Sequence, residues 1–446
     1  MTIAAPRTVP TVPTAGRDRW RARVGLLRST PGLLGLAAAA LAGLILAFGV
    51  SAAMAGQDQR ASLDGLASSS QSLGAAAQQI YRSLSDADAA AASAFLAGGL
   101  EPAPVRDRYR ADIAAAEVAL ATANQRSAGE AALTSPLRTL YTELPVYTGL
   151  VERARVDNRQ GLPVGAAYLR EASGLLRTRL LPAAQDVYSA ESARVAVMER
   201  RAAAFPMPAA LVGLLTLVAL VVAQVYLARR TNRVLSLGLL AASCAVVASL
   251  AWTAFAATTV SGHVAASRGG GSALVDTLAR ARIAALEARG DETLALVAHG
   301  EAQSYEQHFA GIVGTLVGAE GAGGVLDQVR TQVDDPRVRA PAGEAFGDSK
   351  VWVSAHERVR ALYAAGRYND AVQAAIGPDE TSSGTAFGRV DGDLDRAIRA
   401  AAAGFDREVT TAKRVLDPVP AGLALLTVLA VGGTAFAGWQ RMREYW

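Results

Sequence analysis

Four apolar runs decide most of what this chain can become. They lie at about 33–55, 207–228, 234–256 and 418–438, and none holds an Asp, Glu, Lys or Arg in its interior. Each has roughly 20 residues or more, the length an α-helix needs to cross a ~30 Å hydrocarbon core. Backbone in lipid must satisfy its own hydrogen bonds, so such runs are helices. The chain has 446 residues, of which 51% are hydrophobic and 19% charged, and the apolar excess is concentrated in these runs.

The charges between the runs set an expected orientation. Before the first run stand Arg7, Arg17, Arg19, Arg21, Arg23 and Arg28 against Asp18, and the short loop between the second and third contains Arg229, Arg230 and Arg233. The tail carries Arg441, Arg443 and Glu444. By contrast, segment 56–205 balances 16 basic with 16 acidic residues, and 257–415 has 17 basic and 21 acidic. Short Arg-rich loops stay in the cytoplasm, whereas long ones translocate largely regardless of charge. The expected plan is therefore a cell-membrane, multi-pass protein with both termini cytoplasmic. It has an Arg-rich arm (1–32), spans at 33–55, 206–228, 234–256 and 418–438, a cytoplasmic loop (229–233) and a tail (439–446). Two extracytoplasmic modules fill 56–205 and 257–417. The start of the chain also resembles a signal peptide with Ala53-Met54-Ala55 as its small-residue site. Its apolar run exceeds the usual ~7–15 residues, so an uncleaved anchor is expected.

Alanine dominates the modules and β-branched residues are sparse, which favours helix. In the first module Leu63, Leu66, Leu73, Ala77, Ile80, Leu84, Ala87, Ala91, Ala94 and Gly98 recur at a 3.5-residue spacing, the seam of a packed helix. This helix is expected to continue from the first span without a break, and Gly98-Gly99 and Pro102 end it. Further helices are expected at about 105–122, at 131–157 with Pro145 as a kink, and from Pro163 toward Phe205 with Pro182 as a bend. Four helices between two spans predict an up-down bundle. In the second module residues 334–343 and 377–384 read as loops, and a helix over 346–364 carries Trp352. The last helix shows the stripe Phe387, Val390, Leu394, Ile398, Ala401, Phe405, Val409, Ala412 and Leu416. The fold class is thus an all-α membrane protein with four transmembrane helices and two helical-bundle modules.

The modules read as an internal duplication. Pro206-Met207-Pro208-Ala209 opens the second span and Pro418-Val419-Pro420-Ala421 the fourth. Asp88 leads to Phe95-Leu96-Ala97-Gly98-Gly99 and Tyr109, as Asp291 leads to Leu296-Val297-Ala298-His299-Gly300 and Phe309. Pro206, Pro208, Pro418 and Pro420 are candidate hinges between bundle and span, although proline also simply starts a helix.

No catalytic chemistry is legible. Gly269-Gly270-Gly271 lacks the Lys-Ser/Thr of a phosphate loop, and no His-Glu-x-x-His or Gly-x-Ser-x-Gly occurs. Asp391, Asp393 and Asp395 lack the glycine and closing glutamate of a calcium loop and read as a solvated helix face. His299, His308 and His356 read as surface or bundle residues, Gln224 as an interhelical hydrogen bond and Cys244 as span packing. No enzyme activity, catalytic residue, metal site or cofactor is expected. The basic ends are too short for a nucleic-acid module and suit anionic lipid.

The order of features resembles the actinobacterial GlnX family. The resemblance rests on Ser93-Ala94-Phe95-Leu96-Ala97-Gly98-Gly99-Leu100-Glu101-Pro102, on Arg108-Tyr109-Arg110-Ala111-Asp112-Ile113, on Arg289-Gly290-Asp291-Glu292 and on Leu296-Val297-Ala298. It implies an amino-acid-sensing relay. An extracytoplasmic solute-binding lipoprotein would detect the amino acid, and the membrane protein would pass its state to a cytoplasmic serine/threonine kinase of the PknG type. Cytoplasmic stretches of about 32, 5 and 8 residues are too short for a kinase domain of their own, which suits a handover to a separate protein. The expected partner contacts are the turns at Gly98, Gly99, Glu101 and Pro102 and at Gly300 and Glu301. Two alternatives stand beside the relay. One is a direct small-molecule receptor using Tyr81, Arg82, Tyr109 and Arg110, or Trp352 and Arg358. The other is a structural or transport accessory subunit. Homo-oligomerisation remains open.

Overall fold

The computed structural model describes residues 30–69, 73–97, 101, 103–127, 130–231, 236–267, 271–297, 302–318 and 321–443. Among them there is no strand. The helices are α1 (Thr30–Ser69), α2 (Leu73–Ala97), α3 (Ala103–Arg126), α4 (Ala131–Arg159), α5 (Val164–Leu175), α6 (Leu181–Ala203), α7 (Met207–Thr231) and α8 (Leu237–Ser267). They continue as α9 (Ala273–Val297), α10 (Ala302–Val317), α11 (Val325–Gln332), α12 (Pro336–Ala364), α13 (Tyr368–Ile376), α14 (Ser383–Leu416) and α15 (Val419–Met442). The chain is an all-α membrane protein. Four of its helical stretches are long and apolar enough to cross a bilayer. The described residues form two compact units.

The membrane unit draws on Met1–Arg60, Ala204–Val260 and Arg414–Trp446. Its helices expose large apolar side chains such as Leu211, Val222, Leu425 and Val428, as lipid contact requires. Small residues let the backbones close in. A side chain at Gly238 would collide with the Gly433 carbonyl, one at Gly422 with Trp252, and one at Gly213 with Phe48 and Leu250. Gln224 donates to Ser243 Oγ at 3.0 Å, joining α7 to α8.

Both Pro-x-Pro motifs sit at helix breaks. Helix α6 stops at Ala203 and α7 starts at Met207, while α14 stops at Leu416 and α15 starts at Val419. Proline has no N–H, so Pro208 and Pro420 leave the carbonyls four residues back, Ala204 and Leu416, without their helical donors. Side chains of α1 supply them. Gln59 Nε2 reaches Ala204 O at 3.1 Å and Arg60 reaches Leu416 O at 3.0 Å.

The head unit comprises Ala61–Ala203 and Ser261–Lys413. The two segments expected as separate modules share one apolar core, which runs from Leu73 on α2 to Ala401 on α14. The first helices of the two modules, α2 and α9, pack against each other. Every described residue of the two predicted stripes is buried, from Leu63 to Ala94 and from Phe387 to Leu416.

Helix α1 runs on from the first span without a break to Ser69, carrying Leu63 and Leu66 of the seam, and α2 carries the seam from Leu73; residues 70–72 lie outside the described residues. Two expectations need correction. Residues 336–343, expected as loop, are the first two turns of α12. Asp335 caps them by accepting from the Arg337 N–H at 3.0 Å, and Pro336 occupies the first turn, where no N–H is needed. Asp391 and Asp395 are not a solvated face, because they grip Arg282 of α9 at 2.6 and 2.8 Å. Among the described residues no acid and His/Cys cluster could hold a metal ion.

Candidate functional site

The first helix of each module carries a buried carboxylate that accepts from a serine and from an aromatic donor. In the first module Asp88 of α2 accepts from Ser173 Oγ at 2.8 Å and from the Tyr147 hydroxyl at 3.3 Å. In the second, Glu292 of α9 accepts from Ser383 Oγ, from Trp352 Nε1 at 3.4 Å and from Arg289. Tyr147 and Trp352 stand at the same place along α4 and α12, which are both 29 residues long. Acid, aromatic donor and serine recur on corresponding helices, and this pairs Asp88 with Glu292, not with Asp291, the counterpart expected from the sequence.

The electrostatics of the two acids differ. Burial pushes Asp88 above its ordinary value, and the hydrogen bonds from Ser173 and Tyr147 and the charge of Arg177 only partly offset it. For Glu292 burial acts in the same direction, but Arg289, His356 and Ser383 overcome it and hold the carboxyl at about 2. His356 donates to Glu292 at 3.1 Å and to Glu306 at 3.0 Å, and its ring stacks on Phe309 with centroids 3.8 Å apart. Burial would lower its pKa, yet the two glutamates raise it to about 9, so the ring is an imidazolium donating from both nitrogens.

Between the modules lies Arg177. A single turn of π-helix, Leu176–Leu180, joins α5 to α6 just before Pro182, whose missing N–H loosens the ladder there. Arg177 on that turn reaches Asp291 of the second module at 2.5 Å, while its charge also acts on Asp88. Asp291 is fully buried and accepts a second bond from His308 at 2.6 Å. Gly290 makes room, since a Cβ there would lie 2.7 Å from the guanidinium. Two further bonds cross the same junction, from Tyr81 to Glu287 at 2.6 Å and from Tyr188 to Asp276 at 3.0 Å.

Each module also has a cavity beside its third long helix. The first, about 300 Å³, is lined by Glu101, Arg106, Arg110, Arg155, Asn158 and Arg159 among others. The second, about 410 Å³, is lined by Glu292, Glu306, His356, Glu357 and Arg360 among others. Arg155 and Arg360 hold the same place on α4 and α12, as do Glu152 and Glu357. Arg155 pairs with Glu101 at 3.2 Å and lies over the Tyr109 ring at 4.1 Å; Arg360 pairs with Glu306 at 3.1 Å.

The residues grouped in sequence as a receptor pocket are not one site. Tyr81 lies at the module junction, Arg82 bonds Gln79 at 2.9 Å, and Tyr109 lies beneath Arg155 while Arg110 lines the first cavity. Trp352 is in the Glu292 cluster, whereas Arg358 reaches the Thr381 carbonyl at 3.2 Å. Of the expected partner contacts, Glu101 pairs with Arg155. Gly98, Gly99, Pro102, Gly300 and Glu301 lie outside the described residues, as does His299. Sequence reasoning missed Arg177 and the Glu292–His356 cluster. The one available signal was Arg289 three residues before Glu292, a helical pair that reads as solvated until burial is known.

No curated protein and no solved structure matches this chain. Residues 62–200, the first module of the head, match the family model of an actinobacterial sensor domain, which makes this a sensor-type protein in that module.

Proposed function

We propose that the chain is a non-enzymatic transmembrane sensor and adaptor. Its head faces the exterior and takes the state of an amino-acid-binding lipoprotein, and its cytoplasmic segments hand that state to a serine/threonine kinase. The observation that carries this reading is the shared core of the head. Two modules joined through buried charge at Arg177 and Asp291 cannot shift independently, so an event on one repacks the other. The sensor-domain match and the four spans support it further. Affinity capture of the intact protein from membranes, with and without amino-acid supply, tests it. Recovery of neither a binding lipoprotein nor a kinase under any supply would end it.

A second reading, a head that binds a small solute directly, is favoured by the paired cavities with converging charged side chains. Calorimetric titration of the purified protein with amino acids separates the two, because saturable heat without a partner protein belongs only to the second.

A further inference from the structure

The turn after the third long helix is built alike in the two modules. In the first, the Gly161 N–H donates to the Asn158 carbonyl at 3.0 Å and the Leu162 N–H to the Asp157 carbonyl at 2.9 Å. In the second, the Gly366 N–H donates to the Tyr363 carbonyl and the Arg367 N–H to the Leu362 carbonyl, both at 3.0 Å. Gly161 and Gly366 take φ of 69° and 74°, the left-handed conformation that this kind of helix end requires.

What the two turns display differs. In the second module the residues after the glycine are tied back into the fold. Arg367 pairs with Asp370 at 2.7 Å, and Tyr368 sets its ring against Tyr363 and donates its hydroxyl to the Leu296 carbonyl at 3.3 Å. In the first module they are Leu162, Pro163 and Val164, and Leu162 and Val164 are 44% and 47% exposed. A residue placed like Leu162 commonly packs back on the helix residue whose carbonyl it bonds. Here that residue is Asp157, a buried acid paired with Arg153 at 3.4 Å, which offers a leucine no apolar partner. Val156, near the end of α4, adds a further exposed apolar side chain.

This display is held on a fixed backbone. Pro163 sets its own φ at −61°. Helix α5 closes on α4 at Gly165, where a Cβ would lie 3.0 Å from the Ala154 carbonyl oxygen and 3.1 Å from the Asn158 nitrogen. Asn158 in turn donates its side-chain amide to the Phe95 carbonyl of α2 at 3.1 Å. A molecule that lands on the turn meets a preformed surface, and little ordering entropy is lost in the contact.

The charge around the apolar residues is basic. Arg159 stands two residues before Gly161, and Arg153 and Arg170 lie about 9 Å back along α4 and α5. All three are exposed, and Arg159 and Arg170 have no hydrogen bond or ion pair among the described residues. The exposed acids over residues 152–171 are Glu152 and Glu171, and Glu152 is bound to Arg155 at 2.6 Å. Exposed apolar side chains that no packing in the fold requires mark contact sites, and arginine is enriched where proteins meet. A rim of unpaired arginines selects an acidic counterpart.

We infer that the α4–α5 turn is the docking face of the first module for a protein that presents acidic side chains around an apolar patch. Leu162 and Val164 fill the centre of the contact, and Arg153, Arg159 and Arg170 meet the acids at its rim. The inference rests on the reading of the chain as a sensor and adaptor with a binding lipoprotein as its exterior partner, and it assigns that contact to one module and one turn.

The binding lipoprotein recovered with the intact protein is purified and titrated against full-length protein in detergent. Its affinity should fall at least tenfold for Leu162→Glu and for the double variant Arg159→Glu/Arg170→Glu, and the native affinity should weaken as salt is raised. The thermal midpoints of the free variants should match the native one, because Leu162 is exposed and neither arginine is bonded in the fold. Arg367→Glu, at the corresponding turn of the second module, should leave the affinity unchanged. Undiminished affinity in Leu162→Glu or in the arginine variant, or an equal loss in Arg367→Glu, would overturn the inference and leave the sensor and adaptor reading standing. Recovery of no binding lipoprotein by the native protein would overturn it as well, and if no kinase were recovered either, the reading itself would fall.

Discussion

The side-chain amide of Gln59 donates to the carbonyl of Ala204, the group that Pro208 leaves without a helical donor. Its neighbour Arg60 does the same for Leu416, which Pro420 leaves bare, and also pairs with Asp417 at 2.9 Å. Two consecutive residues of α1 thus serve the two corresponding breaks of a duplicated chain. Both breaks have their free carbonyls satisfied from one turn of α1.

A double-mutant cycle tests the pairing. Gln59→Leu leaves the Ala204 carbonyl without its donor and should cost about 1–2 kcal/mol in thermal or denaturant stability. In a Pro208→Ala background an N–H is available for that carbonyl, and the same replacement should cost little. Equal costs in both backgrounds would show that Gln59 does not compensate for the proline.

The paired acids should respond differently to neutral isosteres. Asp88 is biased toward its protonated form by burial, so Asp88→Asn, which keeps the acceptor for Tyr147 and Ser173, should cost no more than about 1 kcal/mol. Glu292→Gln strips a buried Arg289 and His356 of their counter-charge and should cost about 3–5 kcal/mol. Chemical denaturation of the two variants compares them directly; similar losses would mean that the two sites are electrostatically alike.

Stability should depend on pH through His356. Its folded value of about 9 lies above its ordinary 6.5, so the contribution is complete below about 6.5 and is lost as pH rises through about 9. Glu292 acts in the other direction. Its folded value of about 2 lies below the ordinary 4.5, so its contribution is present above that value and fades as pH falls toward about 2. The thermal midpoint should fall between pH 6.5 and 9 in the native protein and fall less in His356→Gln. An unchanged slope in that variant would assign the alkaline loss elsewhere.

Arg177 should couple the modules. Arg177→Met leaves Asp291 fully buried with only His308 as partner and should cost about 2–4 kcal/mol. Hydrogen exchange should speed up in both α2 and α9, which meet at the junction. Faster exchange confined to the α5–α6 region would make the arginine a local feature of its own turn.

What the sequence disclosed follows from what is periodic. The stripes from Leu63 to Ala94 and from Phe387 to Leu416 were legible because burial of one helix face imposes its spacing on the chain, and every described member is buried. The prolines were legible because proline chemistry is local. The start of α12 was misread although Asp335-Pro336 is a capping residue followed by a first-turn proline; the glycine and second proline beyond it suggested a loop. Arg177, His356 and Arg155 were not legible. Each is a charged residue on an amphipathic helix, where a solvated position is the ordinary outcome, and their partners Asp291, Glu292 and Glu101 lie 54 to 114 residues away. For the same reason only Arg110 and Glu101 of the first cavity's charged lining stand out in the sequence.

The facing of α2 against α9 also bears on ancestry. A chain of half this length, with one bundle between two spans, would leave the outer side of its first long helix bare. Covering it would require a sister molecule turned about a twofold axis. Fusing two such sisters frees each to drift. One bundle could then keep its charges matched within itself while the other became unbalanced, a divergence that a symmetric pair of identical subunits cannot make.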